Sequence, residues 1–425
     1  MNRSFSLICY FLILAFAFSS CKTNSKQFGI IENIHVNGQV IPKIHLEEID
    51  DSASTINLSE FFTDFRIIPL ETRKECMIAY PGTICLTGHS ILTWTQVGVG
   101  PCRVLEFDMD GKFIREFGRG GKGPGEHVGY LVEEITWLPD EKEILISFAG
   151  MGDEKQLFDE KGNFLREIKV PVELTQGVKR LNDTVWMTPG SIAGPVNYRR
   201  DSIRLILYTT GGKEIKVWPR TVYLPAHQTG YSPDGWRTSF YQFNGQWQIC
   251  SPGDDTLYRI SMDRLEPVAI FNRGIKGQPY NEYIEPSRIV GTYLFKVVEE
   301  TKNQWFIEKW TVTKAELERY GDFWGGSFNM NEFFLIVDKV TGKGKNLRFM
   351  DDYLGILPES PSRLPVQWTE QGEPFLSFVA LDLKESIAKA IKKENLDPEI
   401  RKRLQQLDSQ LSIESNPVIV IMKAI

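Results

Sequence analysis

The stretch Phe107–Glu126, FDMDGKFIREFGRGGKGPGE, decides the fold. Asp110-Gly111 is a turn dipeptide, and behind it Phe113, Arg115 and Phe117 alternate with Ile114 and Glu116, so the run reads as the second arm of a β-hairpin. The glycine-rich run from Gly118 to Gly125 cannot be regular structure and reads as a crossing to the next element.

Fifty-one residues later the pattern returns: Phe158-Asp159, Gly162, Phe164 and Arg166-Glu167 match Phe107-Asp108, Gly111, Phe113 and Arg115-Glu116 in order. Fainter echoes follow at Leu207-Tyr208 with Gly211-Gly212, at Leu257-Tyr258 with Asp263, and at Val337-Asp338 with Gly342. Short alternating strands and Asp/Gly turns with a period near fifty mark propeller blades of four strands each. Five blades fit between Thr83 and Phe349. A sixth has Leu364–Trp368, Pro374–Ala380 and Val418–Met422 and lacks one strand, which Phe65–Leu70 supplies, because a ring loses its open edge when its two ends share a blade. The expected fold is all-β, a six-bladed β-propeller over 56–425. A helical insertion at 382–412 carries a capping-box pattern at Asp382 and Glu385 and a second start at Asp397-Pro398.

The first twenty residues hold Arg3, an apolar run from Leu7 to Phe18 and the small pair Ser19-Ser20, the parts of an export signal. Cys21 follows directly and is the expected lipidation site; an ordinary cleaved signal and a membrane-spanning anchor are the alternatives, the run being short for a span. Residues 21–55 are set apart as a tether and N-terminal segment. With 49 basic and 55 acidic residues, the net charge of −6 argues against nucleic acid as a partner. Cys76, Cys85, Cys102 and Cys250 are too few for a disulfide scaffold, although a Cys76–Cys85 bridge stays open. The five histidines are scattered, no CxxC or HxxxH spacing occurs, and neither a metal nor a cofactor is expected.

The FD-x-x-G-x-F repeat, Pro69-Leu70-Glu71-Thr72, the loop Gly121-Lys122-Gly123-Pro124-Gly125-Glu126 and the ending Ser415-Asn416-Pro417-Val418 together resemble a family of bacterial six-bladed β-propeller lipoproteins with NHL-like repeats, a domain of unknown function. The resemblance runs from about Ile56 to the end and implies a lipid-anchored address in a Gram-negative cell envelope. It implies no substrate. Blade three departs, with Thr209–Gly212 in place of the acidic turn.

In a propeller the connections between blades and those between second and third strands share one face, where function is expected. The glycine loop should deliver Glu126 and His127 near the channel mouth on that face; alternatively its glycines only permit the turn and Glu126 caps backbone amides. Long excursions on the same face carry Tyr231, Trp236, Arg237 and Trp324, a mix suited to sugar rings or a protein partner, or else small cores under the loops. No catalytic residue is assigned: the glycine loop lacks Gly-Lys-Ser/Thr, and Ser386-x-x-Lys389 lacks its companion motifs. The leading expectation is a monomeric, membrane-anchored binding or scaffold module for a glycan, peptide or envelope protein. The alternative is an extracytoplasmic hydrolase or lactonase-like enzyme at the channel mouth.

Overall fold

A computed structural model of the protein describes residues 27–424, apart from 51–52, 80–82, 97–99, 149–150, 152–153, 172–176, 191–202, 220–237, 252–253, 275–292, 312–330, 357–366 and 370–372. The alternating runs pair as six antiparallel sheets in a propeller ring. Blade one holds Cys85–Leu86, Ser90–Thr95, Arg103–Asp108 and Phe113–Phe117; blade two holds Val132–Leu138, Glu143–Phe148, Glu154–Asp159 and Phe164–Lys169. Blade three holds Lys179–Arg180, Val185–Pro189, Ile203–Thr209 and Glu214–Pro219, and blade four Ser239–Phe243, Gln246–Cys250, Thr256–Ile260 and Leu265–Asn272. Blade five holds Tyr293–Glu300, Gln304–Thr311, Asn331–Asp338 and Gly344–Met350. Blade six joins Gln367–Trp368, Pro374–Phe378 and Val418–Ala424 to the N-terminal strand Phe62–Pro69, so the two ends of the chain close the ring.

The repeated Asp/Gly turn has a physical reason in each blade where it occurs, spaced Asp-x-x-Gly in blades one and two and one residue longer in blade five. Asp108 Oδ1 accepts the amides of Asp110 (2.9 Å) and Lys112 (2.8 Å), Asp159 Oδ1 those of Lys161 (2.9 Å) and Asn163 (2.8 Å), and Asp338 Oδ1 those of Val340 (2.9 Å) and Thr341 (2.6 Å). The backbone amide of Thr341 leads the contacts that hold the Asp338 carboxyl below the usual range. Thr209 Oγ1 takes over in blade three, accepting the Lys213 amide at 3.2 Å, so the departure there keeps the turn. Gly111, Gly162, Gly212 and Gly342 all lie at positive φ.

These turns also fasten neighbouring blades. Gly111 O of blade one accepts the Glu71 amide (2.7 Å) just past the outer strand of blade six, and Thr210 O of blade three accepts the Lys169 amide (3.1 Å) of blade two. The Arg115 guanidinium of blade one donates to Lys161 O in the turn of blade two. One short motif therefore serves within the blade and between blades, which is why it repeats where the strands themselves vary.

Residues 27–57 join the propeller sheets. Ile31–Val36 and Gln39–His45 form a hairpin across Asn37-Gly38, both at positive φ. Its second arm runs parallel to the outer strand of blade four, with Ile270 opposite Lys43 and Asn272 opposite His45. Ala53–Asn57 adds in parallel to the outer strand of blade five, with Asn346 opposite Ala53. The N-terminal segment thus covers the edges of blades four and five before completing blade six, a use of 27–57 that goes beyond a tether.

The insertion in blade six forms α1 (Ala380–Ala390) and α2 (Pro398–Gln410). Leu383, Ile387, Leu404 and Leu407 bury themselves against Phe62, Phe306, Phe334 and Leu376. Asp397 caps α2, accepting the amides of Glu399 (2.8 Å) and Ile400 (3.2 Å). The capping box expected at Asp382 does not form: the Leu383 amide already bonds to Val379 O at 2.9 Å, so α1 starts two residues earlier behind an uncapped Val379. Cys76, Cys85, Cys102 and Cys250 are buried free thiols, and no Cys76–Cys85 bridge is made.

Candidate binding channel

The first strand of each blade borders the ring axis, and the space between them is a cavity of about 1090 Å³ that takes its lining from all six blades. Its walls mix charge with aromatic surface. Two irregularities in the inner strands shape those walls. In blade two Val132 pairs with Phe148 and Glu134 with Ser147, which leaves Glu133 as the extra residue of a β-bulge. In blade five Val297 pairs with Ile307 and Glu299 with Phe306, with Val298 as the extra residue. Each bulge brings a carboxylate to the cavity lining.

Most of these charges answer one another. Glu134 meets Lys179 at 2.8 Å with both side chains buried, and its second oxygen accepts the Val178 amide at 3.1 Å. Glu133 lies 3.5 Å from the buried Lys155 and accepts the Ser147 hydroxyl at 3.0 Å. Arg180 meets Glu141 at 2.8 Å. Lys296 stands opposite Glu308 in the strand pairing. Glu300 turns away into the joint between blades four and five, where Lys339 (2.6 Å) and the Tyr241 hydroxyl (2.9 Å) donate to it.

Glu299 differs from the rest. Among the described residues it has no ion-pair partner, and burial, with the neighbouring Glu300 charge adding to it, pushes its carboxyl up to about 7 against its one opposing backbone hydrogen bond. Trp137, Arg180, Gln242, Glu299 and Trp368 each stand at the last or last-but-one position of their inner strands, so blades two to six present them at one level, next to the turns between first and second strands. At that level the Trp368 Nε1–H is buried without an acceptor.

The sequence placed the site at the other end of the channel. Glu126 and His127 do not line the cavity. Glu126 wraps its own loop: its carboxylate accepts the Gly123 amide at 2.8 Å and fills the space a Cβ on Gly121 would need. His127 is 1% exposed and stacks on Phe148 at 3.8 Å, and burial holds its pKa below the ordinary value. Packing between blades one and two therefore took the place of exposure at the mouth. Cys21, Tyr231, Trp236, Arg237 and Trp324 lie outside the described residues. No group of three or more His, Cys, Asp or Glu among the described residues is arranged to hold a metal ion. Glu299 was missed, although an acidic residue at the end of an inner strand was a readable signal.

A family model described as "Domain of unknown function (DUF4934)" matches residues 41–423. Among solved structures, one similar chain is a Bacteroides fragilis protein described as exported, at 15% identity and a TM-score of 0.61, covering 90% of this chain and 99% of that one. Another is a member of the DUF4221 family from Bacteroides vulgatus, at 9% identity and a TM-score of 0.48, covering 86% and 97%. At these identities the likeness is one of fold. No curated protein matches the chain.

Proposed function

Since the chain belongs to the DUF4934 family, a domain of unknown function, we propose a role for it from its own residues: an exported, lipid-anchored propeller that binds a small ligand or the end of a larger one in its axial channel. Export is supported by the leader pattern before Cys21 and by the description of the Bacteroides fragilis relative in fold. The observation that carries the binding reading is the cavity of about 1090 Å³, with donors, acceptors and aromatic edges drawn from all six blades. Ion pairing of Glu133 and Glu134 with lysines makes those two carboxylates poor general bases, because a buried ammonium holds each of them. Tyr231, Trp236, Arg237 and Trp324 remain proposed contacts for a glycan or peptide.

The test is an array of glycans and peptides probed with the soluble chain from Lys22 onward. Gln242 lines the channel and is itself exposed, so Gln242→Trp narrows the channel without disturbing the core. Hits lost in Gln242→Trp support the channel; hits that persist unchanged would exclude it. Separately, Cys21→Ala should move the protein from the membrane to the soluble fraction, and retention in the membrane would remove the lipid anchor from this reading.

A further inference from the structure

Resting on the channel reading, we infer that the channel selects a ligand bearing an organic ammonium group, which docks on Glu299. Three observations converge. The first is position: Glu299 lines the cavity at the last-but-one residue of its inner strand, next to the turn between first and second strands. The second is electrostatic: the lining carries seven carboxylates against three cations, of which Lys179 and Arg180 are held by Glu134 and Glu141, and Glu299 has no ion-pair partner among the described residues. A carboxylate in a walled cavity draws a cation far more strongly than one in water. The third is the bulge at Val298, which brings Glu299 to the lining while Glu300 is held by Lys339 and Tyr241.

Glu299 holds a proton part of the time near neutral pH, so docking of an ammonium must expel it. The experiment is calorimetric titration of the soluble chain with 1,4-diaminobutane, with 1,4-butanediol as the neutral isostere and succinate as the anionic one. At pH 7 the diamine is expected to bind about tenfold or more tightly than either control. It should release up to about half a proton, read as a difference in heat between two buffers of unlike ionisation enthalpy. Glu299→Gln should abolish the release and most of the preference, and Gln242→Trp should weaken the diamine. The two-buffer comparison needs no variant, so it stands even if Glu299→Gln folds poorly. Preferential binding of the diol or succinate would overturn the ammonium inference and leave the channel reading intact. Diamine binding that is buffer-independent and unchanged in Glu299→Gln would do the same. Binding of none of the three would overturn the ammonium inference, while the array of glycans and peptides decides the channel reading separately.

Discussion

Asn416 and Glu71, 345 positions apart, are joined at the closure of the ring: the Asn416 amide group donates to Glu71 O at 2.6 Å. The same side chain donates to Cys76 O at 2.8 Å and accepts the Ile78 amide at 2.8 Å, and it is fully buried. The motif around Asn416 thus holds the segment that follows the N-terminal strand. Asn416→Ala strips partners from two carbonyls and one amide in a site closed to water. At about 1 kcal/mol or more for each, the expected loss is on the order of 3 kcal/mol. Urea denaturation measures it. A loss below about 0.5 kcal/mol would mean that Asn416 does not secure closure.

Two glycines with the same backbone angle should respond differently to alanine. Gly38 at φ +81° has no atom within 4 Å of a built Cβ, whereas at Gly111, φ +80°, the Cβ would overlap the carbonyl oxygen of Pro69. Gly38→Ala should cost only the left-handed strain, about 1–2 kcal/mol. Gly111→Ala should cost about 2 kcal/mol more, because the turn must lift off Pro69 and release the Glu71 amide. Equal losses in thermal or urea unfolding would remove the inter-blade role of the turn.

The blades were legible because their turn chemistry is local: Asp108 and Asp159 take the amides two and four residues on, Asp338 those two and three residues on, and the sequence repeats with them. Closure by Phe62–Pro69 was legible from strand counting. The rim hairpin was also written plainly in Val36-Asn37-Gly38-Gln39, with alternating residues on both sides, but a segment close behind an export signal invites reading as a tether. The channel was harder. Whether an inner-strand carboxylate meets a lysine depends on a residue of the next blade or of a strand two away, as Glu134 depends on Lys179 and Glu133 on Lys155. A bulge at Val298 shifts a facing pattern by one residue without leaving a mark in the sequence.

The Glu134–Lys179 pair should show strong coupling. Lys179→Met leaves a carboxylate buried beside the Val178 amide without its ammonium, at an expected cost of about 3–5 kcal/mol. Adding Glu134→Gln, which keeps an acceptor for that amide, should recover much of the loss. A double-mutant cycle reads the coupling directly, and additive losses would show that the two side chains do not act as a pair.

The buried thiols should be silent in the folded chain. Burial pushes Cys102 up to about 12, and Cys76, Cys85 and Cys250 are buried as well. Because the thiolate is the reactive form, iodoacetamide at pH 8 should label none of the four in the native soluble chain and all four after unfolding. Labelling of Cys102 at the rate of a free thiol in the native state would contradict the packing between blades one and two.

Glu299 should give the chain a measurable pH dependence of stability. Its carboxyl is raised from 4.5 to about 7, so between those values the folded chain keeps a proton that the unfolded chain has released. Unfolding free energy from this group is therefore full below pH 4.5, falls as pH rises through the window, and is lost above 7. The change is on the order of 2–3 kcal/mol. His127 acts in the opposite sense, since burial lowers its pKa and its contribution is lost as pH falls below 6.5. The two are separated by comparing wild type with Glu299→Gln, in which the Glu299 trend is gone while those of His127 and of other shifted carboxyls, Asp255 and Glu373 among them, remain. Glu299→Gln should be the more stable protein at pH 8 and lose its advantage near pH 5. A variant whose stability tracks wild type at every pH would show that the Glu299 carboxyl is solvated, and the ammonium site would lose its electrostatic basis with it.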